Sequence, residues 1–158
     1  MERFHTVYRD EGLHCATWGP LFVQRWLADA SGEQVETMLE LHTAFVEARP
    51  LGTTLSVSHV EVTHGRPDER SRAAMRRHMK LAERAIGAAA TVISCEGFAS
   101  AMVRSVLSGL VLVTRPKCPH GVFSTTAEGF GFVLEHRPVA GVDARSIEEA
   151  YRREVVQR

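Results

Sequence analysis

One run restricts what this chain can fold into more than any other: Thr91-Val-Ile-Ser-Cys-Glu-Gly-Phe-Ala-Ser-Ala-Met-Val-Arg-Ser-Val-Leu-Ser-Gly-Leu-Val-Leu-Val-Thr-Arg115. Thr91 to Cys95 is β-branched or small and carries no charge, which predicts a short strand buried on both faces with strands on either side. Glu96-Gly97 breaks it. From Phe98 an almost wholly apolar run follows, long enough for a helix, so the unit is strand, turn, helix. Ala101, Ser105, Ser108 and Gly109 recur at helical spacing and form a seam of small residues. Phe98, Met102, Val106, Leu110 and Val113 stand beside it. A helix apolar nearly all round is buried on more than one side, covered by its own chain or presented to a partner.

The rest of the chain gives this unit a sheet to sit in. At 158 residues one domain with a sizeable core is expected. Residues 3 to 28 alternate and are punctuated by Asp10-Glu11-Gly12 and Gly19-Pro20, the pattern of a three-stranded meander: Phe4 to Arg9, Leu13 to Trp18 and Leu21 to Leu27. Ser31-Gly-Glu-Gln34 is a capping box opening a helix to about Arg49, with Val35, Met38, Leu39, His42, Phe45 and Val46 as its apolar stripe. His42 lies inside that stripe and is expected at the core edge, bonded to backbone. Thr53 to Thr63 follows as a strand, with Leu55, Val57 and His59 on one face. Pro67 and Asp68 start a helix extending to about Ala90. Its core stripe is expected at Met75, Met79, Ala82, Ile86 and Ala89, and its other sides are basic. Beyond the central unit come a strand from His120 to Ser124 and a helix boxed by Thr125 and Glu128. Pro138 to Val142 is a linker, and Asp143 caps an amphipathic helix, Ala144 to Gln157. Parallel strands joined by helices, beside an antiparallel N-terminal edge, make a mixed α/β sheet with helices packed on it. The domain is expected over residues 1–137, with the linker and C-terminal amphipathic helix appended over 138–158.

The chain resembles the STAS-like superfamily, specifically bacterial single-domain proteins similar to the sporulation anti-sigma-factor antagonists. The residues that carry the resemblance are Gly97-Phe98-x-x-Ala101-x-x-Arg104-Ser105-Val106-Leu107-x-Gly109-Leu110, then Pro119-x-x-Val122-Phe123, then Glu128, with Pro67, Ala73 and Trp26 also fitting. They span roughly residues 3 to 136. The resemblance implies a regulatory or binding role without a cofactor. It also implies a phosphorylatable serine at a helix start after a central strand. The Asp-Ser-Ser-Gly motif of that family is missing; the corresponding stretch, His64 to Ser71, offers only Ser71.

Formal net charge is +0, so bulk electrostatics favours neither nucleic acid nor a membrane surface. The N-terminal residues carry no apolar signal core, and the apolar run Val106 to Val113 is too short to span a bilayer. Three cysteines without CxxC spacing fit free thiols in a reducing cytoplasm. Cys95, Glu96 and Gly97, with Phe98 and Arg104, form a strand end before a helix, where exposed N–H groups can hold an anion or activate a thiol. A nucleophile also needs a base in reach, and no histidine adjoins Cys95, so a structural cysteine is expected. His59 with His64, and Cys118 with His120, lack reliable zinc spacing, and no metal is expected. The absence of phosphate-loop, nucleophile-elbow and metalloprotease motifs weighs against the common enzyme classes. The reading is therefore a cytoplasmic, non-enzymatic, cofactor-free interaction domain that forms a homodimer and binds a protein. Its expected surface draws on Arg70, Arg77, Arg84, Met102, Leu110, Ile147 and Tyr151. The alternative is a small-molecule binder with its pocket between the sheet and the Phe98–Val113 helix.

Overall fold

A computed structural model of the chain describes residues 3–62, 68–114 and 117–157; for residues 99, 106, 107 and 110–114 it describes the backbone alone. Six strands form a single sheet in sequential order: β1 (His5–Arg9), β2 (Leu13–Trp18), β3 (Leu21–Trp26), β4 (Thr54–Val60), β5 (Ile86–Ile93) and β6 (His120–Phe123). The first three are antiparallel, and β3 to β6 run parallel. Gly19 takes φ 48°, which lets Gly19-Pro20 close the β2–β3 hairpin. The fold is thus the mixed α/β sheet with an antiparallel edge that the sequence pattern implies.

Five helices cover it: α1 (Gly32–Glu47), α2 (Glu69–Ala85), α3 (Phe98–Thr114), α4 (Thr126–His136) and α5 (Ala144–Tyr151), the last running into one π-helical segment, Arg152–Val156. Both capping boxes form, Ser31 with Gln34 and Thr125 with Glu128, and Asp68 and Asp143 cap α2 and α5. Strand parity sorts the core into two layers. Phe22 and Trp26 pack with Val35, Met38, Val46, Ala74 and Leu81 of α1 and α2. On the opposite face Val23, Leu55, Val57, Ala90 and Val92 pack with Phe130, Val133, Ile147, Tyr151 and Val155. Gly129 brings α4 close: a Cβ there would stand 2.6 Å from Val92 Cγ2.

Several expectations need correction. The helix of residues 69–85 stops short of Ala90, and Ile86 and Ala89 belong to β5. Gly87 marks the junction, because a Cβ there would lie 2.3 Å from the carbonyl oxygen of Gly52. Met75 and Met79 are 40% and 51% exposed, whereas Ser71, Ala74, Leu81 and Ala85 face the core. α2 packs chiefly on α1 and meets the sheet at β5, and the methionines lie on its exposed flank. The strand expected over Thr91 to Cys95 is the end of β5, interior as expected between β4 and β6. It stops at Ile93, however, and leaves Ser94 exposed and Cys95 half-buried beyond it. On α3, Phe98 and Met102 are 84% and 52% exposed, so its first turns are not enclosed. The apolar face of the C-terminal helix closes on its own chain: Ile147, Tyr151 and Val155 are core residues.

Candidate functional site

The parallel strands β3 to β6 end on one side of the sheet, where α/β proteins commonly bind ligands. Arg25, His59 and Ser94 stand at or just beyond the ends of β3, β4 and β5. Each shares the parity of residues in the α4–α5 core layer: Val23, Val57 and Val92 lie two residues before them. The three side chains therefore emerge on the same face, under the C-terminal segment.

That segment completes the arrangement. Tyr151 is fully buried, its ring edge-on to Phe130 (5.3 Å) and to Phe4 (5.8 Å). Its hydroxyl lies 2.7 Å from His59 Nδ1, and His59 Nε2 lies 2.8 Å from Ser94 Oγ. Arg25 grips Glu61 with two nitrogens, Nε donating at 2.9 Å and Nη2 at 3.2 Å, and its Nη1 donates to the Val155 carbonyl at 2.9 Å. Arg152 donates to Glu148 Oε1 at 2.8 Å, and Thr126 Oγ1 donates to the same oxygen at 3.0 Å. Between these groups opens a cavity of about 300 Å³ whose wall includes His59, Ser94, Ser124, Thr125, Thr126 and Arg152.

The donor order follows from burial. Among the described residues His59 Nδ1 is the hydrogen-bond partner of the Tyr151 hydroxyl, and a fully buried O–H needs an acceptor. Tyr151 therefore donates to Nδ1, the ring proton sits on Nε2, and Nε2–H donates to Ser94 Oγ. Burial pushes the Tyr151 phenol far above its ordinary value and keeps this donor protonated. Burial also draws His59 down to about 4, with Arg25 and Arg152 pushing the same way and Glu61 opposing them. In this tautomer the imidazole nitrogen facing Ser94 is a donor and does not accept that serine's proton.

The site residues expected from sequence scatter. Cys95 is half-buried and accepts from Ser100 Oγ at 3.0 Å. Arg104 Nη1 donates to the Ile93 carbonyl at 2.8 Å, tying α3 back to β5. Glu96, Gly97 and Phe98 are exposed at the start of α3. Arg70 and Arg77 pair with Glu36 of α1, and Arg84 and Met102 are exposed. Two proposed surface residues, Ile147 and Tyr151, face inward and are removed from that surface by the core they fill. Ser71 is fully buried on the inner side of α2, closed to a kinase. The side chain of Leu110, and His64, lie outside the described residues. His42 finds a histidine instead of backbone: its Nδ1 lies 2.7 Å from His78 Nε2, and its ring stacks on Phe22 at 4.4 Å. Among the described residues no three His, Cys, Asp or Glu side chains gather for a metal ion, and no helix is long and apolar enough to cross a membrane.

Sequence reasoning missed His59, Ser94 and Tyr151 as a group. The usable signal was parity: His59 alternates with Leu55 and Val57, and Tyr151 follows Ile147 by one helical turn. No protein-family model, curated protein or solved structure matches the chain.

Proposed function

We propose that this chain is a non-enzymatic regulatory domain of the STAS-like kind, acting in a bacterial cytoplasm by binding protein, with a second copy of itself as partner. The regular alternation of strand and helix from β3 to β6 supports that kinship. The observation that carries the reading is Phe98, 84% exposed, with Met102 a turn later at 52%. Large apolar side chains left in water on a small domain mark an interaction face. Ala101 and Ser105 beside them are small and exposed, so another helix can approach closely. The only charged residue of α3 is Arg104, and it is turned to backbone carbonyls. Such a face tolerates its own copy across a two-fold axis, whereas the basic side of α2 repels itself. Sedimentation equilibrium of the full chain and of Phe98→Glu tests this. The expected outcome is a dimer that becomes monomeric in the variant with an unchanged melting curve, because so exposed a side chain adds little to the fold. A strictly monomeric parent at high micromolar concentration overturns self-association.

A further inference from the structure

We propose that the cavity at the carboxyl ends of β4, β5 and β6 binds a small oxyanion, the phosphate or carboxylate group of a metabolite. Ser94 and Arg152 are its direct donors, and His59 supports it from behind. This goes beyond the dimer face, which lies on α3.

The inventory of open hydrogen-bonding groups sets the ligand class. Ser94 Oγ accepts from His59, so its own hydroxyl hydrogen is free to point into the cavity. Arg152 uses Nε and Nη2 on Glu148, and its guanidinium has further N–H groups to offer. The neighbouring carboxylates are already engaged. Glu148 takes Thr126 and Arg152, Glu128 takes the Ser124 and Thr125 hydroxyls, and Glu61 takes Arg25. What is left open is a set of donors, and their complement is an acceptor-rich group. The charged groups facing His59 are Arg25 from β3, Glu61 following β4 and Arg152 from the C-terminal segment, with Arg25 paired to Glu61 and Arg152 to Glu148. Tyr151, the remaining titratable neighbour, stays neutral. A volume of about 300 Å³ accommodates a phosphate with a few further atoms.

The arrangement makes binding proton-linked. An anion beside Ser94 favours the imidazolium form of His59, which keeps its Nε2–H on Ser94. Nδ1–H then donates to the Tyr151 oxygen and the phenol loses its acceptor, a cost that the anion must offset. Anion affinity therefore rises as pH falls, by up to about tenfold per pH unit once His59 takes up the proton on binding.

The test uses the full chain with sulfate and, separately, acetate, followed by calorimetry and by the His59 ring and Ser94 amide NMR signals between pH 7 and pH 5.5. Sulfate stays dianionic over this range, so any pH dependence belongs to the protein. Expected are saturable shifts at His59 and Ser94, tighter binding at the lower pH, and proton uptake on binding. Ser94→Ala should weaken binding several-fold, and His59→Gln should abolish its pH dependence. Tighter sulfate than acetate assigns a phosphate-bearing ligand, and the reverse a carboxylate. Shifts spread over surface arginines that disappear in sodium chloride would overturn the proposal, as would unchanged affinity in Ser94→Ala. Ser94 is exposed, so that variant remains informative even if His59→Gln fails to fold.

Discussion

Tyr151 brings its hydroxyl to His59 across 92 positions of chain, and the direction of that one hydrogen bond fixes the protonated nitrogen of the imidazole. Phenylalanine at this position keeps the ring packing against Phe130 and Phe4 but leaves Nδ1 without its donor. Tyr151→Phe is expected to cost about 1–3 kcal/mol, read as a lower urea midpoint at unchanged slope. Ring 15N shifts report the tautomer directly: Nε2–H in the parent. A parent ring protonated on Nδ1 instead would reverse the donor order and restore His59 as a base for Ser94. The identities of these residues were visible in sequence, but their meeting was not. A histidine at a strand end, a serine beyond the next strand and a tyrosine on a distant helix share no spacing rule; only sheet order and parity unite them.

At the scale of elements, α2 shows where pattern reading succeeds and where it fails. Its start was legible, since Asp68 caps the helix through the Ser71 amide, 2.7 Å away. Its end was not, because Ile86 to Ala90 is as compatible with helix as with strand and only Gly87 interrupts it. Its buried side was also misread: methionines outrank alanines in hydrophobicity, but the face turned to α1 and β5 carries Ser71, Ala74, Leu81 and Ala85. Two substitutions separate the assignments. Leu81→Ala, at 5% exposure, should cost about 2–5 kcal/mol, while Met79→Gln should stay within about 0.5 kcal/mol. Equal costs in chemical denaturation would mean that α2 is rotated about its axis. The β2–β3 hairpin and both capping boxes were recovered because their turn and cap residues act locally.

The whole molecule carries an acid sensitivity set by its interior. His59 and His78 are each held at about 4, burial being the chief cause, and His42 is driven down by burial and by His78 beside it. Each of these histidines binds protons more readily in the unfolded chain. Their stabilising contribution is whole above about pH 6.5 and drains as pH falls toward 4, at most about 1.4 kcal/mol per histidine per pH unit. Urea midpoints should therefore fall steeply between pH 6.5 and pH 4.5, before most carboxylates titrate; a flat profile would mean these rings are accessible to protons in the folded protein. The C-terminal segment has a consequence of another kind. Ile147, Tyr151 and Val155 complete the sheet face that Phe130 and Val133 of α4 begin to cover, and Arg25 anchors to the carbonyl of Val155. During translation, residues 5 to 136 can leave the ribosome with every strand made and yet with the core around Phe130 still open where Ile147, Tyr151 and Val155 will pack. Nascent chains halted before Ile147 should accordingly stay open to protease and recruit chaperones, and become resistant only once residue 155 has cleared the exit tunnel.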